Sequence, residues 1–168
     1  DHNGNFEVWV DYGREPTGIN AIEWARRVEE MGAGEILLTS INQDGMGNGF
    51  DIELTNQISS LVSIPVIACG GAGNNSDFVD VIKSGKADAV AAASIFHYYY
   101  ALSKEGHTMQ FSEKALRMGK HIDSGNIDFL NNGYGGQKTI MVNPSSIADV
   151  KGELRKFGIK VRLEPEYT

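Results

Sequence analysis

The chain reads as an α/β protein in which βα units repeat around a parallel sheet, and three observations carry that expectation. Short apolar runs rich in β-branched or small residues each close on a loop of glycine, hydroxyl or acidic residues. They are Gly34-Glu35-Ile36-Leu37-Leu38-Thr39-Ser40-Ile41-Asn42-Gln43-Asp44-Gly45, Ile64-Pro65-Val66-Ile67-Ala68-Cys69-Gly70-Gly71-Ala72-Gly73 and Ala87-Asp88-Ala89-Val90-Ala91-Ala92-Ala93-Ser94. The alternation returns about every 25 to 30 residues, the size of a βα unit. Runs such as Pro65-Val66-Ile67-Ala68 are apolar on both faces, which suits a parallel strand covered by helices. Three such strand ends side by side expose backbone N–H groups in one place, the makings of a phosphate cradle.

The elements follow in order. Phe6-Glu7-Val8-Trp9-Val10 alternates as a strand does, and Gly13 with Pro16-Thr17-Gly18 supplies the turn that ends it. Asn20 or Thr17 caps a helix running to about Met31, with Ile22, Trp24, Ala25 and Val28 at helical spacing and Gly32 as its stop. A strand over Glu35 to Ile41 leads through the Asp44 loop into a helix over Asp51 to Leu61. A strand over Ile64 to Cys69, a helix over Ser76 to Ser84 capped by Ser76, and a strand over Ala89 to Ala93 follow. The stretch 98–143 breaks the rhythm. It is polar and carries Gly106, Gly125, Gly133, Gly135 and Gly136, so it reads as an insertion with a helix at Ser112 to Met118. Ser146 to Phe157 is then amphipathic through Ile147, Val150 and Leu154, Gly158 is its C′ residue, and Ile159 to Leu163 is a closing strand.

The bulk properties narrow the function. At 168 residues the chain is a single domain with a real core, yet short of the roughly 250 residues of a complete eight-unit barrel. Its start at Asp1, without a charged n-region, an apolar h-region or a long apolar run, predicts neither signal peptide nor membrane span and reads as an internal cut. A net charge of -7 argues against nucleic acid and anionic membranes as partners, so a bound phosphate is expected to be held locally by backbone amides. The single cysteine excludes an internal disulfide and is compatible with a cytoplasmic protein, and no Cys/His spacing suggests a metal site.

Several residues stand where chemistry would be done. Asp44-Gly45-Met46-Gly47-Asn48-Gly49 could be a plain Asp-Gly turn, but it follows a buried strand, where α/β sheets place their ligands. Asp44 is then expected to face substrate, and Gly45 to admit an oxyanion to the backbone. Gly70-Gly71-Ala72-Gly73 fails the G-x-G-x-x-G pattern, so no nicotinamide or other cofactor is expected. It reads as an amide nest with Gly71 near a phosphate, or as a hinge. Ala93-Ser94 opens a turn whose amides and hydroxyl would point at the same anion, as well as serving as an ordinary helix start. By alternation only one of Thr39 and Ser40 can point inward, and Cys69 ends its strand toward the same pocket without a His to make it a nucleophile. His97, before Tyr98-Tyr99-Tyr100, reads as packing, and His2, His107 and His121 as solvated.

Taken together, Gly32 to Ile41, Asp44-Gly45, Ile67 to Gly73, Ala92-Ala93-Ser94-Ile95-Phe96-His97 and Gly158-Ile159-Lys160-Val161-Arg162 closely resemble the cyclase subunits of imidazole glycerol phosphate synthases. The resemblance covers about residues 6–97 and 146–163. It implies an α/β fold of the (βα)8 TIM-barrel type, the whole chain 1–168 being about the second half of the barrel with 98–143 inserted before the last helix. It also implies an activity in histidine biosynthesis: ring closure on a phosphorylated ribulosyl aminoimidazole carboxamide, with ammonia from a partner glutaminase, releasing an aminoimidazole carboxamide ribotide. By resemblance Asp44 is the catalytic-site carboxylate, Gly45, Gly70, Gly71, Ala93 and Ser94 hold a substrate phosphate, Thr39 lines the pocket, and Cys69 stands where the family often has serine.

Two departures qualify the resemblance. The family's acid/base pair is an Asp on the first barrel strand and one on the fifth. The first is not in this chain, and the second is either upstream of residue 1 or Asp1 itself, so the chain alone is expected to be inactive. Asn42 replaces an Asp usual in the cyclase, and with the insertion it points to an alternative, a cyclase-like amidotransferase subunit acting on a nucleotide sugar in surface-polysaccharide synthesis. A further alternative is a non-catalytic, phosphate-binding half-barrel whose open edges pair with another copy or with its missing half.

Overall fold

The computed structural model describes residues 6–102 and 142–162. In chain order these form β1 (Glu7–Val10), β2 (Glu15–Asn20), α1 (Ala21–Glu30), β3 (Ile36–Thr39), α2 (Ile52–Leu61), β4 (Val66–Cys69), α3 (Asn75–Lys83), β5 (Ala89–Ala91), α4 (Ser94–Leu102) and α5 (Ile147–Lys156). The expected βα rhythm is present. Strands β3, β4 and β5 lie side by side and parallel, with Thr39 opposite Cys69 and Cys69 opposite Ala91, so their carboxyl ends are level.

One face of this sheet makes the core. Val66 and Ala68 point toward the helices and are 0% and 1% exposed. Val66 belongs to a cluster with Ala25, Leu54, Ile58 and Val62, which joins α1 and α2 to the sheet. Ala68 belongs to a second cluster with Phe50, Phe78, Val81, Ile95, Val150 and Leu154, which joins α3, α4 and α5. There Phe78 meets Phe50 edge to face at 5.6 Å, a favoured aromatic geometry. The opposite face, carrying Leu37 and Thr39, is open.

Helices α1, α2, α3 and α5 each begin where a side chain can accept their free N–H groups. Asn20 accepts from Ile22 and Glu23 at the start of α1, which decides between Asn20 and Thr17 as its cap. Asp51 caps α2 rather than forming its first turn. For α3 the cap is Asn74, not Ser76: the Ser76 amide and hydroxyl both donate to the Asn74 side chain, and Asp77 completes a capping box. Ser146 and Asp149 repeat that box at α5, and Gly158 follows it at φ +75°, as a C′ glycine should.

Three further expectations are corrected. Glu15–Asn20, which holds the presumed turn residues Pro16 and Gly18, is a strand paired antiparallel with β1, and the true turn lies at residues 11–14. A two-stranded ribbon is all edge, so a proline costs it no central ladder bond. The strands of the sheet are shorter than their apolar runs, because the flanking residues turn into loops. Residues 159–162 are not a strand: Ile159 and Val161 pack on the core without a ladder partner among the described residues. Of the stretch 98–143, residues 98–102 complete α4 and Val142 and Asn143 lie beside Gly73. The helix expected at Ser112 to Met118 lies outside the described residues, as do Asp1, His2, His107 and His121.

Candidate functional site

At the carboxyl ends of β3, β4 and β5 three loops enclose a cleft of about 80 Å³. Asp44, Gly45 and Gly47 line it from the first loop, Cys69, Gly70, Gly71 and Ala72 from the second, Ala92, Ala93 and Ser94 from the third, and Val142 from the segment before α5. The volume exceeds the ~30 Å³ share of a water molecule and falls well below the ~300 Å³ and more of a pocket for a whole drug-sized ligand. It suits one small group at the end of a larger molecule.

The first two loops interlock through glycine. The Gly49 N–H donates to the Gly71 carbonyl at 2.8 Å, and the loop passes so close that a Cβ at Gly71 would overlap the Gly49 carbonyl oxygen and one at Gly73 that of Gly47. Gly71 also sits at φ +107°, where side chains are strained. The four-residue nest is only partly available. The Gly73 and Asn74 amides both donate to the Asp77 carboxylate, at 2.7 and 2.9 Å. The Gly71 and Ala72 amides donate to no other group among the described residues.

The third wall is the start of α4. Here the residue before the helix is Ala93, whose methyl group accepts nothing, whereas Asn20, Asp51, Asn74 and Ser146 cap α1, α2, α3 and α5. The Ala93 carbonyl takes the first helical bond, from His97 at 2.9 Å, which leaves the amides of Ser94, Ile95 and Phe96 at the helix's positive end. No lysine, arginine or histidine lines the cleft, and Asp44 is its one carboxylate among the described residues. An anion here would be held by backbone dipoles and kept off the Asp44 oxygens by like charge.

Of the residues expected to form the site, Asp44, Gly45, Gly70, Gly71, Ala93 and Ser94 all line this cleft. Thr39 does not. It ends β3 on the open face of the sheet, next to Cys69, while Ser40 is buried and turned the other way, where its hydroxyl donates to Asp51 at 3.0 Å. That resolves the alternation between them. His97 is exposed and meets Tyr98 edge to face. Sequence reasoning missed Val142 and Asn143: the Asn143 amide donates to the Gly73 carbonyl at 2.6 Å and places this segment, just before α5, beside the cleft. Nothing local in those residues announces it. Ser40 and Asp51 were missed as a pair, although an Asp directly before an apolar helix is a legible cap signal.

Among the described residues no helix is long and apolar enough to cross a membrane, and no three His, Cys, Asp or Glu residues gather as metal ligands. Residues 1–101 match the protein family described as histidine biosynthesis protein, a family of TIM-barrel proteins. The chain is 57% identical over 96 residues to the imidazole glycerol phosphate synthase subunit HisF of Alkaliphilus metalliredigens, covering 57% of this chain and 38% of that protein. It is 60% identical over 93 residues to the subunit of the same name from Methanopyrus kandleri, covering 55% and 34%. The aligned part is thus little more than a third of either relative. A solved structure of a FabK mutant from Thermotoga maritima superposes with a TM-score of 0.34 at 29% identity, over 43% of this chain and 24% of that one.

Proposed function

The chain belongs to the histidine biosynthesis protein family, and on that premise we propose that it forms the phosphate-holding end of a lyase-type cyclase that makes imidazole glycerol phosphate. The observation that carries the proposal is the cleft itself. The first turn of α4, which the Ala93 side chain cannot cap, and the Gly71 and Ala72 amides, which donate to no group among the described residues, belong to residues that border a small cleft fit for one anionic group. The ligand is a phosphorylated small molecule whose phosphate enters the cleft and whose remainder lies over the open sheet face, past Cys69 and Thr39.

Asp44 takes the chemical role in this reading. A carboxylate beside an anion site is repelled by the phosphate, so its use is with the part of the substrate that carries hydroxyls and exchanges protons during amination and ring closure. Ammonia reaches that end from a glutaminase partner, and the second carboxylate of the acid/base pair comes from outside the described residues. Gly45 and Gly70 let the backbone approach the ligand, and the Ser94 hydroxyl adds a donor to the amides.

The test is ammonia-dependent turnover of the phosphorylated ribulosyl aminoimidazole carboxamide by the complete protein that carries this chain, followed by detection of imidazole glycerol phosphate. Formation of that product with added ammonium salt is expected. A folded protein that binds inorganic phosphate in the cleft but makes no such product would overturn the assignment.

A further inference from the structure

The ten-residue loop that carries Asp44 is tied at both ends to one side chain. Asp51 accepts the Leu54 amide on Oδ1 at 3.0 Å, as a helix cap, and the Ser40 hydroxyl on Oδ2 at 3.0 Å. Capping needs only the first of these bonds. The second reaches back across the loop to the residue where β3 ends. Ser40 is 6% exposed, its amide continues the sheet by donating to Cys69 at 3.3 Å, and its carbonyl accepts the amides of Asp44 at 2.9 Å and Gln43 at 3.2 Å. Asp44 therefore hangs from the backbone of a residue whose side chain is fixed by Asp51. On the other side the Asp51 carbonyl is held by the Thr55 hydroxyl at 2.6 Å, and Thr55 is 3% exposed. The start of the loop also rests on Gly70, where a Cβ would stand 3.1 Å from the Ser40 carbonyl oxygen and 3.3 Å from the Asp44 Cα.

We propose that Ser40 and Asp51 are positioning residues for the reaction: their hydrogen bond clasps the loop and fixes where the Asp44 carboxylate stands relative to the cleft. This rests on the reading of Asp44 given above. Neither residue touches the cleft, and both act through Asp44. A displacement of about 1 Å at a reacting group can cost ~100-fold in rate, so a clasp remote from substrate can control turnover while leaving phosphate binding to the amides of the other two loops.

The experiment uses steady-state kinetics of the complete protein with ammonium salt and the phosphorylated substrate. Ser40→Ala removes the donor. Asp51→Ser keeps a capping oxygen but gives up the second acceptor. Asp51→Asn keeps an oxygen for Leu54 and offers an amide N–H to the Ser40 oxygen. The first two variants are expected to lower kcat about 10-fold with KM within about twofold, and Asp51→Asn to restore most of the rate. Added to Asp44→Asn, Ser40→Ala is expected to cost nothing more, because residues that act as a unit are not additive. Were Ser40→Ala to lose its fold, Asp51→Ser carries the same test. Multiplying effects of Ser40→Ala and Asp44→Asn, or a loss confined to KM, would overturn the clasp while leaving the role of Asp44 intact. An undiminished kcat in Asp44→Asn would overturn the role of Asp44 and the clasp with it.

Discussion

At the scale of single residues, Ala93 is the most informative position, because it is where an ordinary helix would carry a cap. An aspartate there would accept the Ile95 and Phe96 amides itself and set a negative charge where the phosphate is proposed to sit. Ala93→Asp is thus expected to raise the substrate KM at least tenfold while thermal unfolding shows a helix unharmed or strengthened by about 1 kcal/mol. Calorimetry and kinetics on one preparation check both halves; a lower melting temperature with unchanged KM would count against the anion site. Gly71 makes a poorer probe of phosphate binding than its sequence position suggests. Any side chain there overlaps the Gly49 carbonyl, so Gly71→Ala is expected to cost about 1–3 kcal/mol in urea unfolding through the interlocked loops alone. The lining of the cleft was legible as residue types, since glycines after β4, the Asp-Gly pair after β3 and Ala-Ser before α4 each follow an apolar run. What was not legible is which amides remain free. The Asp77 carboxylate claims Gly73 and Asn74, and only the folded loop reveals it.

At the scale of elements, local signals marked the helices well because periodicity and capping chemistry agree, and they erred where two residues compete for one role. Asn74 and Ser76 are both good caps. The structure selects Asn74, whose Oδ1 takes the Ser76 amide at 2.9 Å. Asn74→Ala is expected to destabilise the protein by about 1 kcal/mol, and Ser76→Ala by less than half of that, measured by denaturant midpoint at constant m. The β1–β2 ribbon escaped notice because Pro16 and Gly18 are turn residues by composition, and only tertiary pairing makes them strand. The segment 159–162 erred the other way: alternating Ile159 and Val161 suit a strand, but a strand also needs a ladder partner, and that need is not local. Between α1 and β4 a surface tie responds to pH. The hydroxyl and then the amide of Ser63 donate to Glu29, which holds its carboxyl below the ordinary value. A carboxyl whose folded pKa is lowered stabilises above its unfolded pKa and loses that contribution as pH falls through the folded one. Any lead in melting temperature of the native protein over Glu29→Gln at pH 7 is therefore expected to close below about pH 4.

At the scale of the whole molecule, the open sheet face makes a prediction that burial alone would miss. Sheets made only of parallel strands are covered on both faces almost without exception, yet Leu37 at the centre of β3 is 62% exposed, while Val66 and Ala68 on the covered side are buried. The family is one of TIM barrels, whose interior is filled by inward side chains of alternate strands. Leu37 and Ile67, paired in register, stand where such a layer would be. The exposure of Leu37, inside a strand, then differs in kind from that of Met31, 72% exposed at the C-terminal cap of α1. With a barrel closed over this face, Leu37→Asp is expected to cost more than about 3 kcal/mol, because it would set an unpaired carboxylate in that interior, whereas Met31→Asp should stay within about 0.5 kcal/mol. Urea unfolding of both variants decides the matter. Equal and small effects would mean that the face stays wet in the whole protein and that no barrel closes over it, and the substrate would then have to be held by the three loops alone.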